Sequence, residues 1–124
     1  MKPTPNFDPK SAAKKLMREG RSGALATLMA GSGDPYCSLV NVASAADGSP
    51  LLLISRLAVH TKNILADQIR EQGHACDKAI DAHPDETLSK PDEPVWILRC
   101  SNGSYRIRVR ADMSAFVEPI ATTP

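Results

Sequence analysis

Apolar residues recur along the chain at two spacings, which predict a mixture of helices and strands. After an arm over residues 1–8, apolar positions three and four apart predict a helix over Lys10–Glu19, with Asp8 as its N-cap and Gly20 as its end. Three short apolar segments separated by Gly, Asp and Pro turns follow. They predict a three-stranded antiparallel meander over Gly23–Ala30, Tyr36–Ala43 and Leu51–Ser55.

The helical spacing returns after the third predicted strand. Apolar positions there predict a second helix from about Ala58 to Gln72, which Gly73 ends. Alanines at helical spacing predict a further short helix over residues 74–82. Three prolines between residues 84 and 94 then predict a polar loop, because proline has no backbone N–H to donate.

The last third of the chain contains a clear hairpin signal. Val95–Cys100 and Tyr105–Arg110 flank an Asn-Gly dipeptide, which favours the tight turns that join antiparallel strands. The tail from Ala111 onwards predicts either one turn of helix or an edge strand near Ala115–Val117. The predicted fold class is therefore α+β or mainly β.

Composition narrows the choice of partners and compartment. The 124 residues suffice for one domain, and 42% of them are hydrophobic. The formal net charge of +1 gives no general attraction for nucleic acid, so such a partner is not favoured. The longest apolar runs are too short to span a bilayer, and the N-terminus does not resemble a signal peptide. We therefore expect a cytoplasmic protein that does not enter membranes.

Three cysteines do not form an even disulfide framework, so reduced thiols are favoured. A single Cys76–Cys100 bridge remains open for an exported protein. Cys37 lies inside a predicted strand and is expected to be a small buried residue rather than a nucleophile. His74, His83 and these cysteines lack the regular ligand spacing of zinc sites, so we predict no metal site.

The junction between the third strand and the second helix is the best candidate for a functional site. A helix N-terminus attracts anions through its backbone N–H groups and its dipole. Hydroxyl and basic side chains suited to a phosphate cluster there, namely Ser55, Arg56, His60, Thr61 and Lys62. The alternative is an ordinary strand end and turn with solvated basic residues.

Alternation in the second hairpin strand places three arginines on one face. Arg106, Arg108 and Arg110 alternate with apolar residues, so their side chains point away from the core. A solvated outer face is the simpler interpretation, and an anion-binding ribbon is the alternative.

The segments Gly23–Leu28, Tyr36–Ala43 and Asp47–Ile64 together resemble the opening of the pyridoxamine 5'-phosphate oxidase-like, FMN-binding split-barrel proteins. The similarity is greatest to the branch that contains the haem-utilisation proteins. It covers residues 9–67, because the sequence departs from the family pattern after Asp67. The resemblance implies a partial or truncated split β-barrel, with an N-terminal helix, a helix after strand 3 and a C-terminal β-hairpin.

This resemblance also implies a ligand and its contacts. Ser55, Arg56 and the group His60, Thr61 and Lys62 would hold the phosphate of FMN, by position in the family. The second strand would line the flavin ring, largely through its backbone, at Ser38, Leu39, Val40 and Asn41. Haem is a less favoured ligand. A homodimer is expected, as in most family members.

Two functions from different classes follow. The first is an FMN-binding protein, for which the resemblance implies a flavin-dependent oxidoreductase or a haem-handling relative. No spacing in the sequence identifies an acid, a base or a nucleophile for a reaction. The second is a non-enzymatic interaction domain, or an inactive truncated or rearranged relative, that uses the basic hairpin. The expected organisation is an arm over 1–8, a split-barrel-like half over 9–67, a helix and polar loop over 68–94, and the hairpin and tail over 95–124.

Overall fold

The computed structural model of the chain describes Met1 and residues 6–110, 112 and 114–121. Two helices and seven strands occur in this part, and the strands form antiparallel sheets of three and four strands. Neither sheet closes into a barrel within the described residues. The fold is therefore α+β and is consistent with a partial split barrel. Residues 2–5 of the predicted arm lie outside the described residues.

The chain divides into two compact units, of which the first comprises residues 1–25 and 38–54. It begins with helix α1, Pro9–Glu19, which confirms the predicted first helix. The Asp8 carboxylate accepts hydrogen bonds from the Lys10 N–H at 3.1 Å and the Ser11 hydroxyl at 2.6 Å. The bond from Ser11, followed by that from Lys10, lowers the pKa of Asp8, so the cap stays ionised at neutral pH.

The predicted meander is also confirmed. Strands β1, Ser22–Leu28, β2, Pro35–Ser44, and β3, Pro50–Leu53, form a sheet in that order. Among the described residues of the first unit, Val40 is the one apolar residue that is buried, with 4% of its surface exposed. Many larger apolar side chains of this unit are exposed, namely Leu16, Met17, Leu39, Leu51, Leu52 and Leu53. The first unit therefore has very little core of its own.

The second unit, residues 26–37 and 55–124, contains the main core. Helix α2, Val59–Glu71, lies against a sheet in the order β4, β5, β6, β7. The strands are β4, Ala79–Pro84, β5, Val95–Cys100, β6, Gly103–Val109, and β7, Ala115–Ile120. The buried side chains Leu98 and Ile107 of the central strands belong to the same cluster as Ile69 of α2. The second predicted helix is thus confirmed, and its apolar face covers the sheet.

One predicted element is wrong, because residues 74–82 do not form a helix. Strand β4 occupies Ala79–Pro84 and pairs with β5, with Ala82 opposite Leu98. Backbone pairing with the neighbouring strand outweighs the helical spacing of three small alanines. The polar loop after β4 is confirmed.

The C-terminal hairpin and the edge-strand alternative for the tail are both confirmed. The turn of the hairpin is shorter than the four residues expected, because Cys100 pairs directly with Gly103. Strand β7 pairs along β6, with Val117 opposite Ile107. Residues 111, 113 and 122–124 of the tail lie outside the described residues.

The cysteines differ from the expectation of reduced, buried thiols. Cys76 and Cys100 form a disulfide, the bridge that the sequence left open, and both side chains are 4% exposed. Cys37 carries a free thiol and is exposed, because it lies on the open side of β2. The described helices include none that is long and apolar enough to cross a membrane.

Candidate functional site

The connection from β3 to α2 is a tight turn built around Ser55. The Ala58 N–H donates to the Ser55 carbonyl oxygen at 3.1 Å, and the Leu57 N–H donates to Ser55 Oγ at 3.2 Å. The Thr61 hydroxyl donates to the same carbonyl oxygen at 2.6 Å. These three bonds fix the start of α2 against Ser55, which lies two residues after the end of β3.

The predicted phosphate-binding residues divide into exposed and buried groups. Ser55 and Arg56 are exposed, whereas His60 is 8% and Thr61 4% exposed. Thr61 uses its hydroxyl proton within the turn, which suits it to positioning the helix. Ser55 Oγ accepts one hydrogen bond and still has its own proton to donate. Ser55 and Arg56 are therefore the side chains best placed to meet a ligand in solution.

The N-terminus of α2 is electrostatically suited to an anion. Its N-cap residue is Ala58, no side chain makes a capping hydrogen bond there, and the first turn holds no acidic residue. The first backbone N–H groups of a helix have no partner within the helix, and the helix dipole is positive at this end. Most helices use Ser, Thr, Asp or Asn to satisfy these donors. An external anion can take that role at α2.

Lys62 is half-buried and reaches toward the sheet of the second unit. Its ammonium group donates to the Ile80 carbonyl oxygen of β4 at 3.1 Å. A hydrogen bond from His83 chiefly lowers the pKa of the neighbouring Asp81, and the charges of His83, Arg99 and Lys62 act in the same direction. Lys62 retains two further N–H donors, but part of its role is structural.

The four residues predicted to line a flavin ring belong to β2 in the first unit, and their side chains alternate. Leu39 is 80% exposed and Asn41 is exposed, whereas Val40 is buried and Ser38 is half-buried. Because side chains of a strand point alternately to its two faces, these four do not share one surface. A ring could meet all four only along the backbone, as the family resemblance implies.

Asn63 is a positioning residue that the sequence reasoning missed. It is 2% exposed, accepts from the Ala30 N–H at 3.2 Å and donates to Thr27 Oγ1 at 3.0 Å. The amide thereby ties the first turns of α2 to the end of β1 within the second unit. The available signal was an amide three residues before Ala66 and six before Ile69, on the apolar face of the helix, because a buried polar group needs partners.

The basic face of the hairpin is not a free ribbon. The Arg106 guanidinium pairs with Glu118 at 2.8 Å and with Asp85 at 3.6 Å. The bond to Glu118 is the main cause that raises the pKa of Arg106. Arg110 lies just beyond the end of β6. One of the three guanidinium groups is thus balanced by acids, which weakens the case for an anion-binding ribbon.

Comparison with known proteins gives one partial similarity. No protein-family model and no solved structure matches the chain. A segment of 35 residues is 57% identical to a chloroplastic non-canonical heme oxygenase, HOZ, of Arabidopsis thaliana. The match covers 28% of this chain and 11% of that protein. The chain thus shares a short segment with a haem-related protein.

Proposed function

We propose that this chain binds FMN, with the flavin phosphate at the start of α2, as a relative of the haem-utilisation branch of the split-barrel proteins. The observation that carries this proposal is the N-terminus of α2, where the N-cap Ala58 follows Ser55 by three residues and no side chain makes a capping hydrogen bond. An anion there replaces the missing cap and receives a hydroxyl hydrogen bond. The nearby Arg56 adds positive charge.

The 35-residue similarity to a heme oxygenase supports a haem-related branch for this proposal. FMN would supply the redox chemistry when bound. The chain's own part is to hold the phosphate with Ser55, Arg56, Lys62 and the backbone of α2, while Thr61 and Asn63 keep the helix in place.

The absorbance spectrum of the purified protein gives the first test. Bound flavin and bound haem both absorb visible light, at different band positions. We expect flavin bands after incubation with FMN, together with quenched flavin fluorescence and a higher melting temperature. A colourless protein that neither quenches FMN nor gains stability from it would contradict the proposal.

Comparison of FMN with riboflavin isolates the phosphate site, because riboflavin lacks only the phosphate. We expect Ser55→Ala and Lys62→Ala each to weaken FMN binding by about 1 to 3 kcal/mol, the range for a hydrogen bond to a charged group. Riboflavin binding should change little. Lys90→Ala is the matched control, since Lys90 is an exposed lysine of the same unit in the loop beyond the far end of β4.

Lys62 also contacts β4, so its variant needs a check on folding. The melting temperature of the ligand-free variant separates a lost phosphate contact from a loosened sheet. Equal loss of FMN and riboflavin affinity in both variants would mean that the phosphate lies elsewhere.

A further inference from the structure

Helix α1 lies on the surface of the first unit with its apolar side chains uncovered. None of its residues is buried, and Leu16 and Met17 keep 71% and 50% of their surface exposed. Phe7, just before the N-cap, is 58% exposed. The Ser44 hydroxyl of β2 donates to the Met17 carbonyl oxygen at 3.0 Å, so this contact uses the helix backbone. Among the described residues of its own unit, nothing buries the apolar side of α1.

The sequence of α1 places apolar and basic side chains on different sides of the helix. With about 3.6 residues per turn, Ala13, Leu16 and Met17 share one side. Lys14 and Arg18, which are four residues apart, share the other side. Such a separation, with Leu or Phe on one side and Lys or Arg on the other, is typical of helices that lie in the plane of a membrane surface.

Positive charge is concentrated around α1, although the chain as a whole is nearly neutral. Residues 8–21 contain five basic side chains against two acidic ones, a net charge of +3. The other residues contain ten basic side chains against twelve acidic ones, a net charge of −2. Among the described residues, Lys10, Lys14 and Arg18 make no ion pair. The surface at α1 therefore attracts anions, which the net charge of the whole chain conceals.

We infer that α1 binds the surface of an anionic lipid bilayer. Its apolar side chains enter the headgroup region, and its basic side chains meet the acidic headgroups. A helix of 11 residues is about 16 Å long, roughly half the thickness of the hydrocarbon core, so α1 lies on the bilayer rather than across it. One partner thus covers the apolar side of α1 and balances its charge.

A bilayer fits α1 better than the other classes of acidic partner do. A nucleic acid would pair with Lys14 and Arg18 and leave Leu16 and Met17 in water. A protein groove that binds an amphipathic helix needs large apolar anchors over successive turns. The two large apolar residues of α1 are adjacent and occupy a single turn. A bilayer accepts apolar side chains at any spacing and supplies negative charge as well.

Sedimentation of the full chain with lipid vesicles tests this inference. We expect binding to vesicles of phosphatidylcholine and phosphatidylserine mixed about two to one, and little binding to phosphatidylcholine alone. Raising the salt concentration from about 0.05 M to about 0.5 M should weaken binding by about tenfold or more, because salt screens the charges. No binding to the acidic vesicles, or equal binding to both kinds of vesicle, overturns the inference.

A charge reversal on α1 provides the second test. Lys14→Glu should weaken vesicle binding by about tenfold or more, since each basic residue near an acidic surface contributes about fivefold in affinity. Lys90→Glu is the matched control, because it makes the same change of charge at an exposed lysine outside α1. Equal weakening by the two variants would mean that the net charge of the chain governs binding, which contradicts a site at α1.

An apolar substitution tests the contact with the headgroup region. Leu16→Ser should weaken vesicle binding by about fivefold, because less apolar surface leaves water. Leu88→Ser is the matched control, since Leu88 is an exposed leucine of the polar loop, at 40%. Both side chains are exposed, so the circular dichroism should be unchanged. Binding that needs Lys14 but not Leu16 overturns the inference, because a soluble polyanion or an acidic protein would then fit better. These results are independent of FMN affinity.

Discussion

Gly31 occupies a backbone position that other residues fit poorly. Its φ is +99°, and an added Cβ would overlap the carbonyl oxygen of Asp77. We expect Gly31→Ala to destabilise the protein by about 3 kcal/mol, from the left-handed backbone and the displaced Asp77 carbonyl together. The free energy of unfolding from urea denaturation measures the effect.

Gly33 serves as the matched control, because its φ is +76° and no atom lies within 4 Å of an added Cβ. Gly33→Ala should lose about 1 kcal/mol, from the backbone alone. Equal losses of unfolding free energy in the two variants would mean that the Asp77 carbonyl oxygen does not lie close to Gly31.

The residues of the candidate site show how far sequence reasoning reaches. The hydroxyls of Ser55 and Thr61 and the position of Lys62 were identified from a strand that leads into a helix. The sequence could not show that the Thr61 hydroxyl donates to the Ser55 carbonyl oxygen or that the Lys62 ammonium donates to the Ile80 carbonyl oxygen. The Thr61 contact depends on how the chain turns between the strand and the helix. The Lys62 contact depends on the position of β4, because Ile80 is 18 residues further along the chain than Lys62. The roles of the nine predicted site residues stay a prediction.

At the scale of elements, local signals succeeded where they act within a few residues. Helix α1 has its cap and its stop in the sequence, and the C-terminal hairpin has its turn. Strand β4 was misassigned because its partner β5 lies beyond a ten-residue loop. Ala82 is the one buried residue of β4, so the sequence of this strand shows no clear alternation of apolar and polar residues. Long-range pairing therefore decided this segment.

The Cys76–Cys100 disulfide ties the connection after α2 to the end of β5 across a sequence separation of 24 residues. Closing a loop of that length stabilises a folded protein by about 3 kcal/mol, by restricting the unfolded chain. We expect Cys76→Ala/Cys100→Ala to lose about this much, measured by guanidinium denaturation. Adding a reductant to the unaltered protein should have the same effect.

Cys37→Ala is the control for that pair, because Cys37 is exposed and unbridged. It should retain the stability of the unaltered chain. Mass spectrometry after alkylation of the unreduced, unfolded protein should find one modified cysteine. Three modified cysteines would contradict the disulfide.

At the scale of the whole molecule, buried apolar residues are unequally divided between the two units. The second unit holds the entire core cluster, including Ile69, Leu98 and Ile107 at 0% exposure. The first unit has Val40, and its leucines are exposed. Because burial of apolar surface is the dominant favourable term in folding, the two units should differ in local stability.

Native-state hydrogen exchange measures this difference directly. We expect the amides of β5 and β6 to exchange slowest, through global unfolding, because these strands are central and cover the core. Amides of α1 and β3 should exchange fastest. Saturating FMN should slow exchange at the start of α2 if the ligand occupies the proposed site. Equal protection of β2, β3, β5 and β6 without ligand would mean that the first unit gains its stability from contacts other than its own small core.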